Sequence, residues 1–147
     1  MMPRFALVLL LALSPLLPAH AADAPSDAPS AEAQKQAAAL LPTALQNLLT
    51  VTWQCQGVMT KQPYEQSRTL VRKATAKILD DATADAFVAK QEDMLQAACP
   101  AAKADGCWRD FLGMKTEPAS AGLAQCAALT RQTMENVGGL LKAMGFQ

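Results

Sequence analysis

The sequence predicts an all-α fold, a small bundle of four to five helices held together by two disulfide bonds. From about residue 31 onwards, apolar residues recur at spacings of three and four, which is typical of amphipathic helices. No run of β-branched residues alternates with polar ones over the length of a strand. Four cysteines are available to crosslink the helices.

The N-terminus has the pattern of a secretory signal peptide. Arg4 supplies the positive charge, residues 5–13 form an uncharged apolar run, and small residues precede a predicted cleavage site between Ala21 and Ala22. The apolar run is shorter than the roughly 20 residues that a membrane-spanning helix needs. We therefore expect a periplasmic or secreted protein without a membrane span.

Three segments follow from this pattern. Residues 1–21 are the predicted signal peptide, and residues 22–30 are a Pro-, Ser-, Ala- and Asp-rich leader that we expect to be disordered. Residues 31–147 form the helical, disulfide-stapled domain. Cleavage would remove the only histidine, His20, and would leave a net charge near −1. Such a charge predicts no general attraction to nucleic acid.

The cysteines, Cys55, Cys99, Cys107 and Cys126, favour disulfides over a metal site. An even number of cysteines in a short exported chain is typical of a disulfide framework, and neither C-x-x-C nor a histidine ligand accompanies them. In antiparallel helices, residues equidistant from a turn lie at the same level. With the predicted turns, this rule pairs Cys55 with Cys99 and Cys107 with Cys126.

The first predicted helix extends to about Met59 and carries the strongest core signal. It is expected to be interrupted or restarted at Pro42, which suits the first turn of a new helix. Residues 36–60 contain no charge, but their glutamines and threonines argue against a membrane span. The pattern predicts the central helix of the bundle, with an inward stripe of Leu41, Leu45, Leu48, Leu49, Thr52, Cys55 and Met59.

Four further helices are predicted along the rest of the chain. The second begins at Pro63, and the third follows a turn in which Asp81 or Thr83 acts as the helix cap. The third stops before Pro100, and a short fourth helix ends near Gly113. The last carries an inward stripe of Leu123, Cys126, Thr130, Met134, Val137, Leu141 and Met144.

A basic run on the second helix, Arg68, Arg72, Lys73 and Lys77, has two interpretations. It could bind an anion. Alternatively, it is a solvated face whose charge is balanced by the acidic residues 80–93 on the next helix. We favour the balanced face.

The sequence gives little support for catalysis. Without His20 the domain has no histidine, which is the usual general base near neutral pH. No G-x-S-x-G elbow, C-x-x-C-H haem motif or Gly-rich phosphate loop is present. We expect no enzyme, cofactor or metal site, apart from a residual chance that the fold brings carboxylates together. The scattered methionines are interpreted as core filling.

One short stretch resembles a known family. Thr52-Trp53-Gln54-Cys55, followed 44 positions later by Cys99, is similar to the periplasmic acid-stress chaperones, which are small, helical and held by one disulfide. The likeness covers a few residues around two cysteines, and the two further cysteines have no counterpart. The sequence therefore predicts no family membership.

The leading functional hypothesis is a non-catalytic protein-binding module that acts on another exported or periplasmic protein, as an inhibitor, a toxin-immunity protein or a chaperone-like factor. The alternative is a helical carrier of a small apolar ligand. Gly138 and Gly139 could bend the last helix, permit a close backbone approach or hinge an apolar tail, which consists of Leu140, Leu141, Met144 and Phe146. Closing the core is the favoured role for that tail. The candidate partner-binding residues are Trp53, Trp108, Leu141, Met144 and Phe146.

Overall fold

A computed structural model describes residues 28–146, and within that range every regular element is helical. The predicted all-α fold with two disulfides is confirmed. The predicted signal peptide, residues 1–21, and most of the predicted leader lie outside the described residues. The helices are α1 (Ala31–Gln54), α2 (Gln56–Met59), α3 (Gln62–Ile78), α4 (Asp81–Ala98), α5 (Ala104–Leu112, preceded by a 3-10 turn at Ala101–Lys103) and α6 (Ala119–Ala143).

Helix α1 is the central helix, as predicted. It contacts all five other helices of the described residues, and Leu48 and Leu49 in its second half are completely buried. Helices α3 and α4 form a hairpin against one side of α1, and α6 runs antiparallel along another. Burial of the apolar face of α1 against these neighbours contributes to the hydrophobic driving force for folding. The bundle is therefore organised around one helix whose neighbours leave grooves between them.

The predicted break at Pro42 is wrong, because α1 continues through this residue without interruption. Proline lacks an N–H group, so the helix loses the hydrogen bond to the carbonyl of Ala38. Leu41, Ala44 and Leu45 are all buried on either side of Pro42. Their packing against the neighbouring helices offsets the single missing hydrogen bond.

The cap of α4 also differs from the prediction. Asp80 is the N-cap, and its carboxylate accepts hydrogen bonds of 2.7 Å from the backbone N–H and from the hydroxyl of Thr83. The backbone bond is the main reason that the pKa of Asp80 lies below its usual value. The predicted end of this helix before Cys99 and Pro100 is confirmed.

The predicted disulfide pairing is wrong. Cys55 bonds to Cys126, which links the end of α1 to α6, and Cys99 bonds to Cys107, which links the end of α4 to α5. The level rule correctly brings Cys99 close to the end of α1, where Trp53 contacts it, but it takes no account of the direction in which each side chain points. The pairing also means that the two cysteines in the chaperone-like stretch are not bonded to each other.

Helix geometry explains the actual pairing. Trp53 faces α4, since its indole N–H donates a 2.9 Å hydrogen bond to the carbonyl of Cys99. Cys55 follows two residues later, about 200° around the helix, and so points away from Cys99 towards α6. Similarly, Trp108 packs on Gly122 of α6, which turns its neighbour Cys107 towards the end of α4.

The inward stripe of α6 begins with a different residue from the one predicted. Gly122 is buried, whereas Leu123 is 45% exposed. The ring of Trp108 lies directly over Gly122, where a larger side chain would not fit. The rest of the stripe is confirmed, since Cys126, Thr130 and Val137 are buried and the later apolar residues pack on the core.

Candidate functional site

Helix α3 presents three faces with different chemistry. The first is buried and consists of Tyr64, Ser67, Val71, Ala74 and Thr75. Tyr64, Ser67, Val71 and Ala74 recur at spacings of three and four, which is typical of the inward stripe of an amphipathic helix. The other two faces carry the charged residues of α3, and they separate the basic run into two pairs.

The second face pairs with α4. Arg68 contacts Glu92 at 2.6 Å, and Arg72 contacts Asp85 at 2.6 Å and Asp81 at 3.2 Å. The hydrogen bond from Arg72 is the main reason that the pKa of Asp85 is lowered. The interpretation of the basic run as a balanced face is confirmed for these two arginines.

A polar network at one end of this face extends to α1. The Tyr64 hydroxyl donates a 2.9 Å hydrogen bond to Glu92, and the Tyr64 ring packs edge-on against Trp53 with 5.0 Å between the ring centroids. Burial and the neighbouring carboxylate raise the pKa of Tyr64. Burial alone would raise the pKa of Glu92, but its bonds with Arg68 and Tyr64 outweigh this and lower it.

The third face of α3 forms one wall of an open groove of about 680 Å³, which we call the α3 groove. The opposite wall is formed by residues 141–146, which comprise the last residues of α6 and the three residues after it. We call these residues the C-terminal segment. Apolar side chains form the floor of the groove. Amide, hydroxyl and charged groups of α3 form its rim on that side. The lining residues are Gln62, Glu65, Gln66, Thr69, Leu70, Lys73, Ala74, Lys77, Leu141 and Phe146.

The end of α6 places Phe146 in this groove. Gly145 has a φ of +86°, in the left-handed region that favours glycine, and its N–H donates to the Lys142 carbonyl at 2.9 Å. The N–H of Phe146 donates to the Leu141 carbonyl at 3.0 Å. These two bonds make a Schellman motif, in which the residue after the glycine packs against the last turn of the helix. Leu141 and Phe146 consequently line the groove together.

The charges of the groove are separated along α3. Within residues 28–146, neither Lys73 nor Lys77 lies within 4.0 Å of a carboxylate. The Lys77 ammonium instead lies 5.1 Å from the centroid of the Phe146 ring, as a cation–π contact. Glu65 lines the opposite end, about 12 Å from Lys73 along the helix axis. One end of the groove is therefore positive, and the other end carries a single negative charge.

The structure places two of the candidate partner-binding residues away from this groove. Trp53 is half-buried and donates its indole N–H to Cys99. Trp108 is 3% exposed, packed on Gly122 on one side and approached by the Arg109 guanidinium at 4.3 Å from its ring centroid. Internal contacts occupy both indole rings.

The other three candidates lie in the C-terminal segment. Leu141, Met144 and Phe146 are all half-buried. Leu141 and Met144 pack against the main core, in agreement with the favoured role of the tail, and Leu141 and Phe146 also form one side of the α3 groove. The segment thus closes the core with one surface and leaves another open.

Gly138 and Gly139 do not interrupt α6, which continues to Ala143. Among residues 28–146, a Cβ atom built at either glycine meets no atom within 4 Å apart from those of its chain neighbours and its own helix backbone. Within the described residues, Gly138 and Gly139 therefore neither allow another backbone to approach closely nor interrupt the helix before the tail.

Sequence reasoning missed Leu70, which is 36% exposed on the groove floor. A signal was present, because Leu70 is an apolar residue among Gln66, Thr69 and Lys73 on the outward side of an amphipathic helix. An apolar residue on the outward side of a helix is not part of the inward stripe, so the stripe does not predict its role.

In the part of the chain that the structure describes, no cluster of three or more histidine, cysteine or carboxylate side chains could hold a metal ion. No helix there is both long enough and apolar enough to cross a membrane. Comparison with protein-family models, with curated protein sequences and with solved structures finds no match to the chain.

Proposed function

We propose that this protein is an exported, non-catalytic binding module whose α3 groove holds an apolar, acidic segment of another exported or periplasmic protein. The observation that carries the proposal is the groove itself, an open apolar surface beside two lysines that have no carboxylate partner among the described residues. An inhibitor, a toxin-immunity protein and a chaperone-like factor would all use such a surface.

The dimensions of the groove suit a helical segment. From Gln62 to Lys77, α3 rises about 22 Å, or about four turns of a helix lying alongside it. The floor residues Leu70, Leu141 and Phe146 can receive apolar side chains spaced three and four residues apart in the partner. Recognition of an amphipathic helix in an apolar groove commonly uses this spacing.

The charges favour an acidic partner in one orientation. Lys73 and Lys77 lie one helical turn apart and would meet carboxylates, while Glu65 disfavours acidic groups at the other end. The C-terminus of a helix carries partial negative charge, so it also suits the lysine end. We therefore expect the partner segment to carry Asp or Glu beside Lys73 and Lys77.

The disulfides support the same proposal. All four cysteines of the described chain are paired, as is typical of proteins that work in an oxidising compartment. One disulfide joins the end of α1 to α6, and the other joins the end of α4 to α5. A rigid frame lowers the entropy cost of presenting a fixed surface to a partner.

Charge reversal in the groove should weaken binding. In Lys73→Glu/Lys77→Glu, carboxylates of the partner would face like charge, and such juxtaposition costs enough to lower affinity at least about tenfold. The measurement is affinity capture from the exported fraction of the cells that produce the protein, followed by titration of the captured partner with the purified variants.

A matched control is Lys35→Glu/Lys90→Glu, which makes the same change in net charge. Both of these lysines are exposed, lie outside the groove and form no ion pair among the described residues. The control should bind as the natural protein does. Equal loss of binding in both variants would show a general charge effect and would contradict the proposal.

A further inference from the structure

A second concave site lies on the other side of the C-terminal segment. It is a pocket of about 240 Å³ between the first half of α1, the end of α3, the start of α4 and the residue that caps α6. We call it the α1–α4 pocket. It shares no lining residue with the α3 groove. Its walls include Leu41, Leu45, Ile78, Phe87 and Met144.

The chemistry of this pocket is almost entirely apolar. Among residues 28–146, no charged side chain lines it, and the one lining hydroxyl, on Thr75, already donates a 2.9 Å hydrogen bond to the Val71 carbonyl. A charged ligand would lose its hydration here without gaining a charged partner. The lining therefore selects for a neutral molecule.

The volume of the pocket sets the size of its ligand. Protein interiors are packed closely, and few voids in them exceed the size of a water molecule. Engineered apolar cavities of about 150 Å³ hold one benzene molecule. A pocket of about 240 Å³ has room for a single ring with a short substituent, or for a branched hydrocarbon of similar size.

We propose that the α1–α4 pocket binds a small, neutral, apolar molecule the size of a substituted benzene. Leu79, which lines the pocket, is 63% exposed, so the pocket is open to solvent beside this residue. Binding would bury apolar surface of the ligand together with core side chains of four chain segments. The site is independent of the proposed protein-binding groove, and either can fail without the other.

Toluene is the test ligand, and benzoate, which has the same ring with a charge, is its counterpart. Titration is followed by NMR of the Ile78 and Met144 methyl groups, with the exposed Leu123 methyl groups as a distant reference. Toluene should shift the first two signals saturably and leave Leu123 unchanged. Benzoate should shift none of them.

Ala38→Leu tests the location of the site. Ala38 lines the pocket and is solvent-exposed, so leucine can extend into the space while the helix keeps a favourable residue. Ala39→Leu makes the same change at an exposed neighbour that does not line the pocket. Toluene affinity should fall at least tenfold in Ala38→Leu and stay unchanged in Ala39→Leu.

Two results would overturn this proposal. One is the absence of saturable methyl shifts when toluene is added to the natural protein. The other is equal toluene affinity in the two leucine variants. Neither result depends on the α3 groove, since the partner protein is absent from the titration.

Discussion

Removal of the Cys55–Cys126 disulfide should destabilise the protein more than removal of Cys99–Cys107. The first bond closes a loop across a sequence separation of 71, and the second closes one across a separation of 8. The loop-closure relation gives losses of about 4.4 and about 2.5 kcal/mol, respectively. A loss of about 4.4 kcal/mol is a large fraction of the stability of a small domain.

Denaturant unfolding of Cys55→Ala/Cys126→Ala and Cys99→Ala/Cys107→Ala measures this difference. The two double variants remove the same atoms, so each serves as the control for the other. Cys55 and Cys126 are also completely buried, which adds a packing loss to the first variant. Equal losses, or a greater loss in the second variant, would contradict the pairing and its role in holding α6 against α1.

Gly57→Ala should cost about 2 kcal/mol, which is typical of overpacking at a closely packed site. Helix α2 crosses α5 at this residue, and a Cβ at position 57 would lie 2.7 Å from the Cα of Asp105 and still closer to the carbonyl of Ala104. Both obstacles are backbone atoms, so relief requires a shift of one helix relative to the other. Thermal or denaturant unfolding of the variant measures the cost.

Gly138→Ala is the matched control for Gly57→Ala. Both glycines are helical, but a Cβ at position 138 meets open space. Alanine should therefore stabilise α6 by roughly 1 kcal/mol, because it restricts the unfolded chain and is the better helix former. Destabilisation by Gly138→Ala would show that α6 needs a conformation that only glycine provides.

The sequence predicts the helices well because an amphipathic helix is recognisable from the local periodicity of its apolar residues. The stripe from Leu41 to Cys55 identifies α1 as the central helix, and Gly113 correctly marks the end of α5. Single-residue decisions are harder. Pro42 remains inside α1 because its neighbours are buried. The inward stripe of α6 begins with Gly122 and not with Leu123, because the Trp108 ring covers Gly122.

The disulfide pairing depends on tertiary geometry that a level rule does not contain. Whether Cys55 meets Cys99 or Cys126 is decided by its direction around α1, and therefore by where α4 and α6 pack. The groove has the same origin. The tail residues Leu141 and Phe146 are recognisable in the sequence, but their apposition to Leu70 requires the packed position of α3.

Site-specific photocrosslinking at position 70 tests the proposed binding surface most directly. A photoreactive residue replaces Leu70, which is 36% exposed in the groove, and in a second protein it replaces Leu123, which is 45% exposed outside it. After illumination in the cells that produce the protein, position 70 should give a discrete adduct that Lys73→Glu/Lys77→Glu abolishes, and position 123 should give none. No adduct at position 70, or the same adduct at both positions, would contradict the proposal that the α3 groove binds a partner.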